Sequence, residues 1–398
     1  MWKLTDISLA ILLTVPPIYC RGEVSAKEGQ WQGSLSRNLV DLPPASSGSW
    51  LIGDSGGTGG SFGQGEIHKN LWDVCFRDDK IGYATGNPPA VYRTEDGGLT
   101  WTTLAYGDKK PFAGWERANL MKGVSWTSLS LSGQNEIWVG GYEYPGGQGK
   151  GVLLHSADAG RTWREELTGK LSICLRIKTT PVGDVWALAG SQQSYRSSDA
   201  GKTWEKVNWG VSAWIDDLVL PGDVPSGRTG YAVGRKGEKG CVLKTEDGGI
   251  HWTSMPLPEH TPALKRCFFI SSLEGWVGGD GGILLYTGDG GITWERRDVP
   301  AGGIVKPWCP NGQPLTDILF FQDGNGWASF AQPFDGIGKL LFSHALFHTR
   351  DGGKTWYPEI SGRKSISALW SNGPGHLWAV GGVADVIYND IVAIRIWK

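Results

Sequence analysis

The stretch Leu273-Glu-Gly-Trp-Val-Gly-Gly-Asp-Gly-Gly-Ile-Leu-Leu-Tyr-Thr-Gly-Asp-Gly-Gly-Ile-Thr-Trp294 decides the fold. It contains a short apolar segment around Trp276, a second apolar segment ending at Tyr286, and a turn motif of eight residues that begins at Thr287. Gly adopts positive φ angles at no steric cost, and an Asp side chain accepts N–H groups of its own turn. The stretch therefore predicts two strands followed by a tight turn that its own side chains stabilise.

The turn motif recurs along the chain in the form Ser/Thr-x-Asp-Gly/Ala-Gly-x-Thr-Trp. Its central aspartates are Asp96, Asp158, Asp199, Asp247, Asp289 and Asp351, which are 62, 41, 48, 42 and 62 residues apart. A repeat period of about 40–60 residues is typical of propellers and solenoids. We expect all six aspartates to be structural, because each can accept hydrogen bonds from the turn that contains it.

A second repeat runs in phase with the first and consists of an aromatic residue followed by small and apolar residues. Its aromatic residues are Tyr83, Trp138, Trp186, Tyr231, Trp276, Trp327 and Trp378. Each unit predicts strands a, b and c, the turn, and strand d, which is one four-stranded propeller blade. The sequence therefore predicts an all-β fold, a seven-bladed β-propeller with the turn motif between strands c and d. The seventh unit lacks the motif, since Asn389-Asp390 replaces the Asp-Gly-Gly turn.

The domain organisation follows from the two ends of the chain. Residues 1–26 read as a signal peptide, with Lys3 before a short apolar region over residues 7–15. An uncleaved anchor and lipidation at Cys20 remain alternatives. Residues 27–69 form a Gly-rich extension that would close the last blade around Trp31 or Trp50, and residues 70–398 form the propeller. We expect an exported protein, periplasmic or extracellular.

Composition excludes several functions. The net charge is −2, which gives no support for nucleic-acid binding. The chain has six cysteines but no Cys-x-x-Cys, and its histidines show no metal-ligand spacing, so we expect no metal and no cofactor. Cys75, Cys174 and Cys267 fall at matching places in their units and are predicted to be buried thiols. A Cys241–Cys309 disulfide stays open.

The eight-residue motif resembles the Asp-box, or bacterial neuraminidase repeat, in all six copies, with His251 in place of the usual Thr. The compound pattern that ends at Trp294 resembles the photosystem II assembly and stability factor family most, over residues 70–398. This resemblance implies an exported scaffold that binds protein partners, helps assemble a membrane complex, needs no cofactor and is not an enzyme. If the host is photosynthetic, the implied location is the thylakoid lumen. We expect a monomer.

The alternative function is a glycan-directed hydrolase, similar to sialidases, or a lectin on the same fold. A sialidase would need an early Arg-Ile-Pro, which the sequence lacks because Lys178 follows Arg176-Ile177. A glycosidase needs two carboxylates about 5–9 Å apart across a cleft. Candidate carboxylates on the relevant face are Glu116, Glu143, Asp216, Asp217, Asp280 and Asp335. Asp216 and Asp217 make a poor pair, because neighbours in a strand point to opposite faces.

Candidate binding residues lie in the long loops that join strand d to the next strand a, or strand b to strand c. These loops share one face of a propeller, whereas the Asp-box turns lie on the other face. Aromatic and basic residues in loops on a rigid scaffold suit protein recognition. The candidates are Lys109, Lys110, Trp115, Arg117, Tyr142, Tyr144, Arg235, Lys236 and Trp308.

Overall fold

A computed structural model describes most of the predicted propeller. The described residues are 50–54, 70–87, 90–98, 100–104, 124–143, 149–167, 169–174, 176–180, 183–189, 193–219, 228–300, 315–330, 344–361, 364–373, 376–383 and 390–396. In these ranges the chain forms strands, turns and one 3-10 turn at Asp280–Gly282. Within the same ranges, no helix is long and apolar enough to cross a membrane.

The strands form seven four-stranded antiparallel sheets, which we number 1 to 7 in chain order. Sheet 1 contains β2 (Asn70–Phe76), β3 (Gly82–Asn87), β4 (Ala90–Thr94) and β5 (Thr102–Leu104). Sheet 2 contains β6 (Val124–Ser132), β7 (Glu136–Glu143), β8 (Lys150–Ser156) and β9 (Arg164–Glu166). Sheet 3 contains β10 (Arg176–Thr179), β11 (Val185–Leu188), β12 (Tyr195–Ser197) and β13 (Glu205–Lys206).

The second half of the chain repeats this plan. Sheet 4 contains β14 (Trp214–Val219), β15 (Gly230–Lys236), β16 (Lys239–Thr245) and β17 (Thr253–Ser254). Sheet 5 contains β18 (Leu264–Phe269), β19 (Gly275–Gly279), β20 (Leu284–Thr287) and β21 (Glu295–Arg296). Sheet 6 contains β22 (Leu315–Phe320), β23 (Gly326–Phe330), β24 (His344–Thr349) and β25 (Tyr357–Ser361). Sheet 7 contains β26 (Lys364–Trp370), β27 (His376–Val383), β28 (Asp390–Ile396) and β1 (Trp50–Asp54).

The first strands of the sheets surround an axis. β2, β6, β10, β14, β18, β22 and β26 each contact the next in chain order, and β26 contacts β2. The prediction of an all-β propeller is therefore confirmed. In sheet 7, β1 pairs with β28 in antiparallel register, Trp50 opposite Arg395, so the two ends of the described chain share one sheet. The boundary after residue 26 lies outside the described residues and, like the start of the propeller at residue 70, stays a prediction.

The aromatic residues of the second repeat pack between neighbouring sheets. Tyr83, Trp138, Trp186, Tyr231, Trp276, Trp327 and Trp378 are at most 1% exposed. Trp276 of sheet 5 stacks on Phe320 of sheet 6 at 4.0 Å, and its Nε1 donates to Gly352 O at 2.9 Å. Gly352 belongs to the Asp-box of sheet 6, so the aromatic repeat of one sheet holds the turn repeat of the next. This contact explains why the two repeats keep the same phase.

Each Asp-box closes on itself through hydrogen bonds. In sheet 5, Thr287 Oγ1 donates to Asp289 Oδ1 at 2.8 Å and accepts from Gly291 N at 2.8 Å. Thr293 donates from its backbone N to Asp289 Oδ1 at 2.9 Å and from Oγ1 to Oδ2 at 2.5 Å. These donors lower the pKa of Asp289 to about 2, the Thr293 hydroxyl first. In the box of sheet 4, His251 Nδ1 replaces the Thr hydroxyl, 2.6 Å from Asp247 Oδ2.

Candidate functional site

The structure describes only part of the predicted binding surface. Six of the nine candidates, Lys109, Lys110, Trp115, Arg117, Tyr144 and Trp308, lie outside the described residues. Tyr142, Arg235 and Lys236 lie within them. The described part of the predicted surface lies at two places, the end of β7 and the β15–β16 hairpin.

Tyr142 does not fit the expectation of an exposed contact residue. It is the seventh residue of β7 and is 4% exposed. Its backbone pairs with Ser125 on one side and with Gly151 on the other, and its side chain is buried. Tyr142 is thus a core residue of sheet 2.

Arg235 lies near the end of β15, in a cluster of charged and aromatic side chains between sheets 4 and 5. Its guanidinium lies 4.7 Å from the ring of Trp214, the residue paired with it on β14. Its Nη1 is 4.0 Å from Asp216 Oδ2, and Lys265 Nζ is 3.5 Å from Asp216 Oδ1. We call Trp214, Asp216, Arg235, Lys265 and Asp280 the sheet 4–5 cluster.

The carboxylates of this cluster are strongly desolvated. Burial raises the pKa of Asp216 against the attraction of Lys265 and Arg235, and it raises the pKa of Asp280 against the same two cations. Asp216 Oδ2 is buried and makes no hydrogen bond to any described residue. The half-buried Arg235 side chain is therefore held by the Trp214 ring and by charge, with its guanidinium at the edge of the sheet.

Lys236 extends the cluster onto the hairpin tip. The residue pairs with Lys239 across the loop Gly237-Glu238, in which Gly237 has φ 61°. Lys236 Nζ donates to Ser254 Oγ at 2.9 Å, and Gly240 N donates to Thr261 O at 2.9 Å. Because both ends of the hairpin are bonded to neighbouring segments, its basic residues are presented on a fixed backbone.

A second polar constellation lies at the axis, and the sequence analysis missed it. The first strand of each of sheets 1 to 6 contributes one residue: Asp73, Ser128, Arg176, Asp217, Arg266 and Asp317. We call these six residues the axial belt. In sheets 1, 2, 4, 5 and 6 the belt residue directly follows a β-bulge, which shifts the register of the strand there.

Four belt side chains each accept a hydrogen bond from a backbone N–H group of the next sheet. Asp73 Oδ2 accepts from Leu129 N at 2.9 Å, and Ser128 Oγ accepts from Ile177 N at 3.1 Å. Asp217 Oδ2 accepts from Cys267 N at 3.3 Å, and Asp317 Oδ2 accepts from Leu369 N at 2.9 Å. In every case the donor is the residue that follows the belt position of the next sheet, so the axial belt fastens neighbouring first strands together.

Ion pairs join the belt residues of sheets 3 and 4 and those of sheets 5 and 6. Arg176 Nε is 3.4 Å from Asp217 Oδ1, and Arg266 Nε is 3.7 Å from Asp317 Oδ1. Burial alone would raise the pKa of Asp217, but Lys178, Arg176 and Arg266 outweigh it and lower that pKa. Burial raises the pKa of Asp317 despite Arg176 and Arg266. The belt is thus a buried charge network whose members depend on one another.

An axial cavity of about 550 Å³ lies along the first strands of all seven sheets. Its charged lining comes from Asp73, Arg176, Lys178, Asp217 and Asp317, and its aromatic lining from Phe268, Phe321 and Trp370. Gly133, Gly183 and Ser371, which lie in or next to turns between first and second strands, also line it. The cavity therefore extends to the face that carries the Asp-box turns, opposite the face predicted for binding.

Catalytic chemistry finds little support at either place. Asp217 is engaged in the belt, Asp216 faces Lys265 and Arg235, and Glu143 pairs with Lys150 at 3.2 Å. Glu116 and Asp335 lie outside the described residues. Across the described ranges, no group of three or more His, Cys, Asp or Glu residues could hold a metal ion. Cys75, Cys174, Cys241 and Cys267 are buried free thiols, and Cys309 is not among the described residues.

The family model described as photosynthesis system II assembly factor YCF48 matches residues 63–173 and 208–301, just over half of the chain. The chain belongs to this family. The YCF48 family match covers the axial belt of sheets 1, 2, 4 and 5 and all residues of the sheet 4–5 cluster.

Individual relatives agree with the family match. The chain is 24% identical over 347 residues to the "Photosystem II assembly lipoprotein Ycf48" of Synechococcus sp. (strain CC9902), covering 82% of this chain and 83% of that protein. It is 28% identical over 348 residues to the "Photosystem II stability/assembly factor HCF136, chloroplastic" of Arabidopsis thaliana, covering 82% and 75%. A solved structure described as "YCF48 bound to D1 peptide" has a TM-score of 0.58 at 19% identity, covering 90% and 97%.

Proposed function

We propose that this YCF48-family chain is a non-enzymatic scaffold that binds a protein partner and assists the assembly of a photosynthetic membrane complex. The observation that carries the proposal is the family match, together with relatives that are named assembly factors. The similar solved fold is described as bound to a D1 peptide, which makes a D1 peptide the partner to test first.

We further propose that the contact surface combines the sheet 4–5 cluster with the loops predicted from sequence. Arg235 and Lys236 stand on a hairpin fixed at both ends, and Trp214 supplies an aromatic base under the guanidinium. Arg and Trp are over-represented among residues that dominate binding energy at interfaces. The undescribed loop residues Trp115, Arg117 and Tyr144 remain part of this proposal.

The seven sheets support a finer proposal about architecture. We propose that they are the blades of one seven-bladed ring, with an Asp-box between the third and fourth strands of six of them, closed by β1 of the N-terminal extension. Deleting residues 27–60 would remove β1 and expose an edge of β28, so we expect a large loss of thermal stability. A deletion variant that melts at the wild-type temperature would contradict this closure.

The location is proposed as outside the cytoplasm, on the lumenal or periplasmic side of the membrane that holds the complex. Residues 1–26 have the pattern of an export signal, and the named relatives include a lipoprotein and a chloroplast protein. Fractionation of the host and mass spectrometry of the mature N-terminus would test this. A mature chain that still begins at Met1 in the cytoplasm would contradict it.

The decisive experiment is affinity purification of the tagged chain from its host, followed by mass spectrometry of the bound proteins. We expect photosystem subunits to co-purify with the wild type. The double variant Arg235→Ala/Lys236→Ala should recover these subunits in an amount lower by a factor of about ten or more. Truncation of a residue that dominates an interface costs about 2 kcal/mol or more of binding free energy. Arg296→Ala, which removes an exposed charge on β21, is the matched control and should bind normally. A wild type that recovers no membrane subunit would overturn the proposal.

A further inference from the structure

Asn-Gly pairs are the places where a polypeptide loses ammonia most readily, because glycine has no side chain to obstruct ring closure at its nitrogen. The chain contains three such pairs, Asn311-Gly312, Asn325-Gly326 and Asn372-Gly373. The first lies outside the described residues. The other two lie at the turns between the first and second strands of sheets 6 and 7, so their surroundings can be compared directly.

The Asn325 side chain is held at both ends of its amide group. Its Nδ2 donates to Asp323 Oδ2 at 2.7 Å, and its Oδ1 lies 3.0 Å from Nε2 of His348. Gly326 is the first residue of β23 and pairs with Thr349 of β24. Ring closure at this pair would require the amide group to leave two partners and the glycine to leave its sheet. Asn325 is therefore protected by the fold.

The surroundings of Asn372 are different. The residue is exposed, and its Nδ2 donates to Asp79 Oδ1, on a side chain that is 59% exposed. Gly373 lies between β26 and β27 and has φ 134°, in the region that favours glycine. Its backbone N–H donates to the Ser371 hydroxyl at 3.1 Å, a bond within the turn rather than across a sheet. The Cγ of Asn372 and the nitrogen of Gly373 therefore both lie outside the sheet.

The contact between Asn372 and Asp79 crosses the junction between sheets 7 and 1. β26 and β27 both contact β2, and Trp378 Nε1 donates to Gly97 O at 2.9 Å inside this junction. At its exposed edge, Nδ1 of His376 also lies 3.8 Å from Asp79 Oδ1. Sheet 7 contains both ends of the described chain. A chemical change at Asn372 therefore acts where the last sheet meets the first.

We propose that Asn372-Gly373 is a self-modification site, at which the chain deamidates and weakens the junction between sheets 7 and 1. The backbone nitrogen of Gly373 loses its proton and attacks Cγ of Asn372. The new N–C bond closes a succinimide ring, and the side-chain amide nitrogen takes up a proton and leaves as ammonia. Water then opens the ring at either carbonyl, which yields an aspartate or an isoaspartate at position 372.

Both products reverse the contact with Asp79. The amide donor is gone, and a carboxylate stands beside the Asp79 carboxylate, so that two like charges repel where a hydrogen bond stood before. Because both side chains are exposed, solvent screens this repulsion and its effect on stability is modest. The reaction needs only water, so the modified fraction rises with the age of the chain. The site therefore loosens one junction progressively and leaves the other sheets intact.

The test follows deamidation of the purified full chain during incubation at neutral and at mildly alkaline pH, with peptide mapping by mass spectrometry. We expect Asn372 to deamidate at least about tenfold faster than Asn325, which is the matched control in the same sample. The rate at Asn372 should rise with pH, because the attacking nitrogen must first lose its proton. Equal rates at the two sites, or an unmodified Asn372, would overturn the assignment.

Variants test the effect on the junction. Asn372→Asp reproduces one product and should lower the melting temperature by about 1–3 °C. The swapped variant Asp79→Asn/Asn372→Asp places an amide opposite a carboxylate again and should recover the wild-type melting temperature. Asn135→Asp makes the same change of charge in the corresponding exposed turn of sheet 2, and should melt as the wild type does.

Two results would show that deamidation does not weaken the junction. One is a wild-type melting temperature of Asn372→Asp, and the other is a swapped variant that melts no higher than Asn372→Asp. None of these measurements uses a binding partner. Their outcome is therefore independent of the proposed scaffold function.

Discussion

The Asp-box turns and the axial belt each occur once in every one of sheets 1 to 6, but they are stabilised in opposite ways. Each box satisfies its aspartate with donors from within four residues, as Asp289 shows with Thr287 and Thr293. Each belt residue depends on a neighbouring sheet, as Asp217 shows with Arg176 and Cys267. Contacts within one turn can recur unchanged in every repeat. A contact that joins two sheets must instead suit the residue that the neighbouring sheet carries.

This difference explains the two sequence patterns. The box aspartate is present in all six motif copies, because every copy supplies the hydrogen-bond partners of its aspartate from its own turn. The belt position reads Asp, Ser, Arg, Asp, Arg and Asp through sheets 1 to 6 and Ala368 in sheet 7. The alternation of acid and base between sheets 3 and 6 makes sense only as a set of ion pairs around an axis.

The largest expected effect comes from breaking the belt. Asp217→Ala would leave Arg176 and Lys178 buried or half-buried without their carboxylate, which costs about 3–5 kcal/mol in comparable buried pairs. Denaturant unfolding would measure it. Asp217→Asn keeps an acceptor for Cys267 N and should lose less. If Asp217→Ala lowers the free energy of unfolding no more than replacement of a box aspartate does, the proposed difference between the axial belt and the Asp-boxes is wrong.

The second largest effect is expected at the contact between an Asp-box turn and an aromatic residue of the neighbouring sheet. Gly249 has φ 93°, and an added Cβ would lie 2.3 Å from Cη2 of Trp186 in the preceding sheet. Gly248, beside it, has φ 78° and open space around the Cβ position. We expect Gly249→Ala to cost about 2–4 kcal/mol through strain and overpacking, and Gly248→Ala about 1–2 kcal/mol through strain alone. Equal losses for both variants in urea unfolding would show that the turn does not depend on the neighbouring sheet.

A smaller effect is expected inside the box. Thr287 is 1% exposed, and its hydroxyl donates to Asp289 and accepts from Gly291 N. Thr287→Val keeps the shape but leaves these partners unsatisfied, at a cost of about 1–3 kcal/mol. Thr287→Ser, the residue found in the boxes of sheets 2 and 3, is the control and should restore most of the stability. Calorimetric melting would separate the two variants.

The smallest effect is a pH dependence of the boxes. Hydrogen bonds, from the Thr hydroxyl first, lower the pKa of Asp158, Asp199 and Asp289 to about 2. The unfolded value is about 3.9, so this stabilisation is complete above about pH 4 and is lost as the pH falls through about 2. The triple variant Asp158→Asn/Asp199→Asn/Asp289→Asn should therefore lose less stability than the wild type between pH 4 and 2. Parallel losses in melting temperature for both proteins over that range would contradict it.

The sequence contains one signal for the axial belt. Asp73, Ser128, Arg176, Arg266 and Asp317 each stand ten residues before the buried aromatic residue of their sheet. A polar residue at a constant distance from a core aromatic marks one position of the repeat. Its partners, however, are about 50 residues away in the chain, for example Asp217 and Cys267. No local pattern names those partners, because they meet only when the sheets surround the axis.

The binding candidates show the same division. The aromatic and basic loop residues predict a binding surface on one face. In the structure, Arg235 and Lys236 lie on the β15–β16 hairpin, and the Arg235 guanidinium lies over the Trp214 ring. Tyr142 looked equivalent in the sequence, yet it lies inside sheet 2. An aromatic residue at a strand end can point to either side, and only the pairing with Ser125 and Gly151 decides which.

By itself, the sequence determined the all-β propeller, the box turns and the buried aromatic repeat, since strand periodicity, Gly conformations and turn hydrogen bonds act over a few residues. Only the tertiary structure decided the axial belt, the cavity beside it and the edge pairing of β1 with β28, since these join segments that are far apart in the chain. The physical reason is the range of the interactions. A turn is complete within eight residues, whereas a charge at the axis has no partner until the neighbouring sheets are in place.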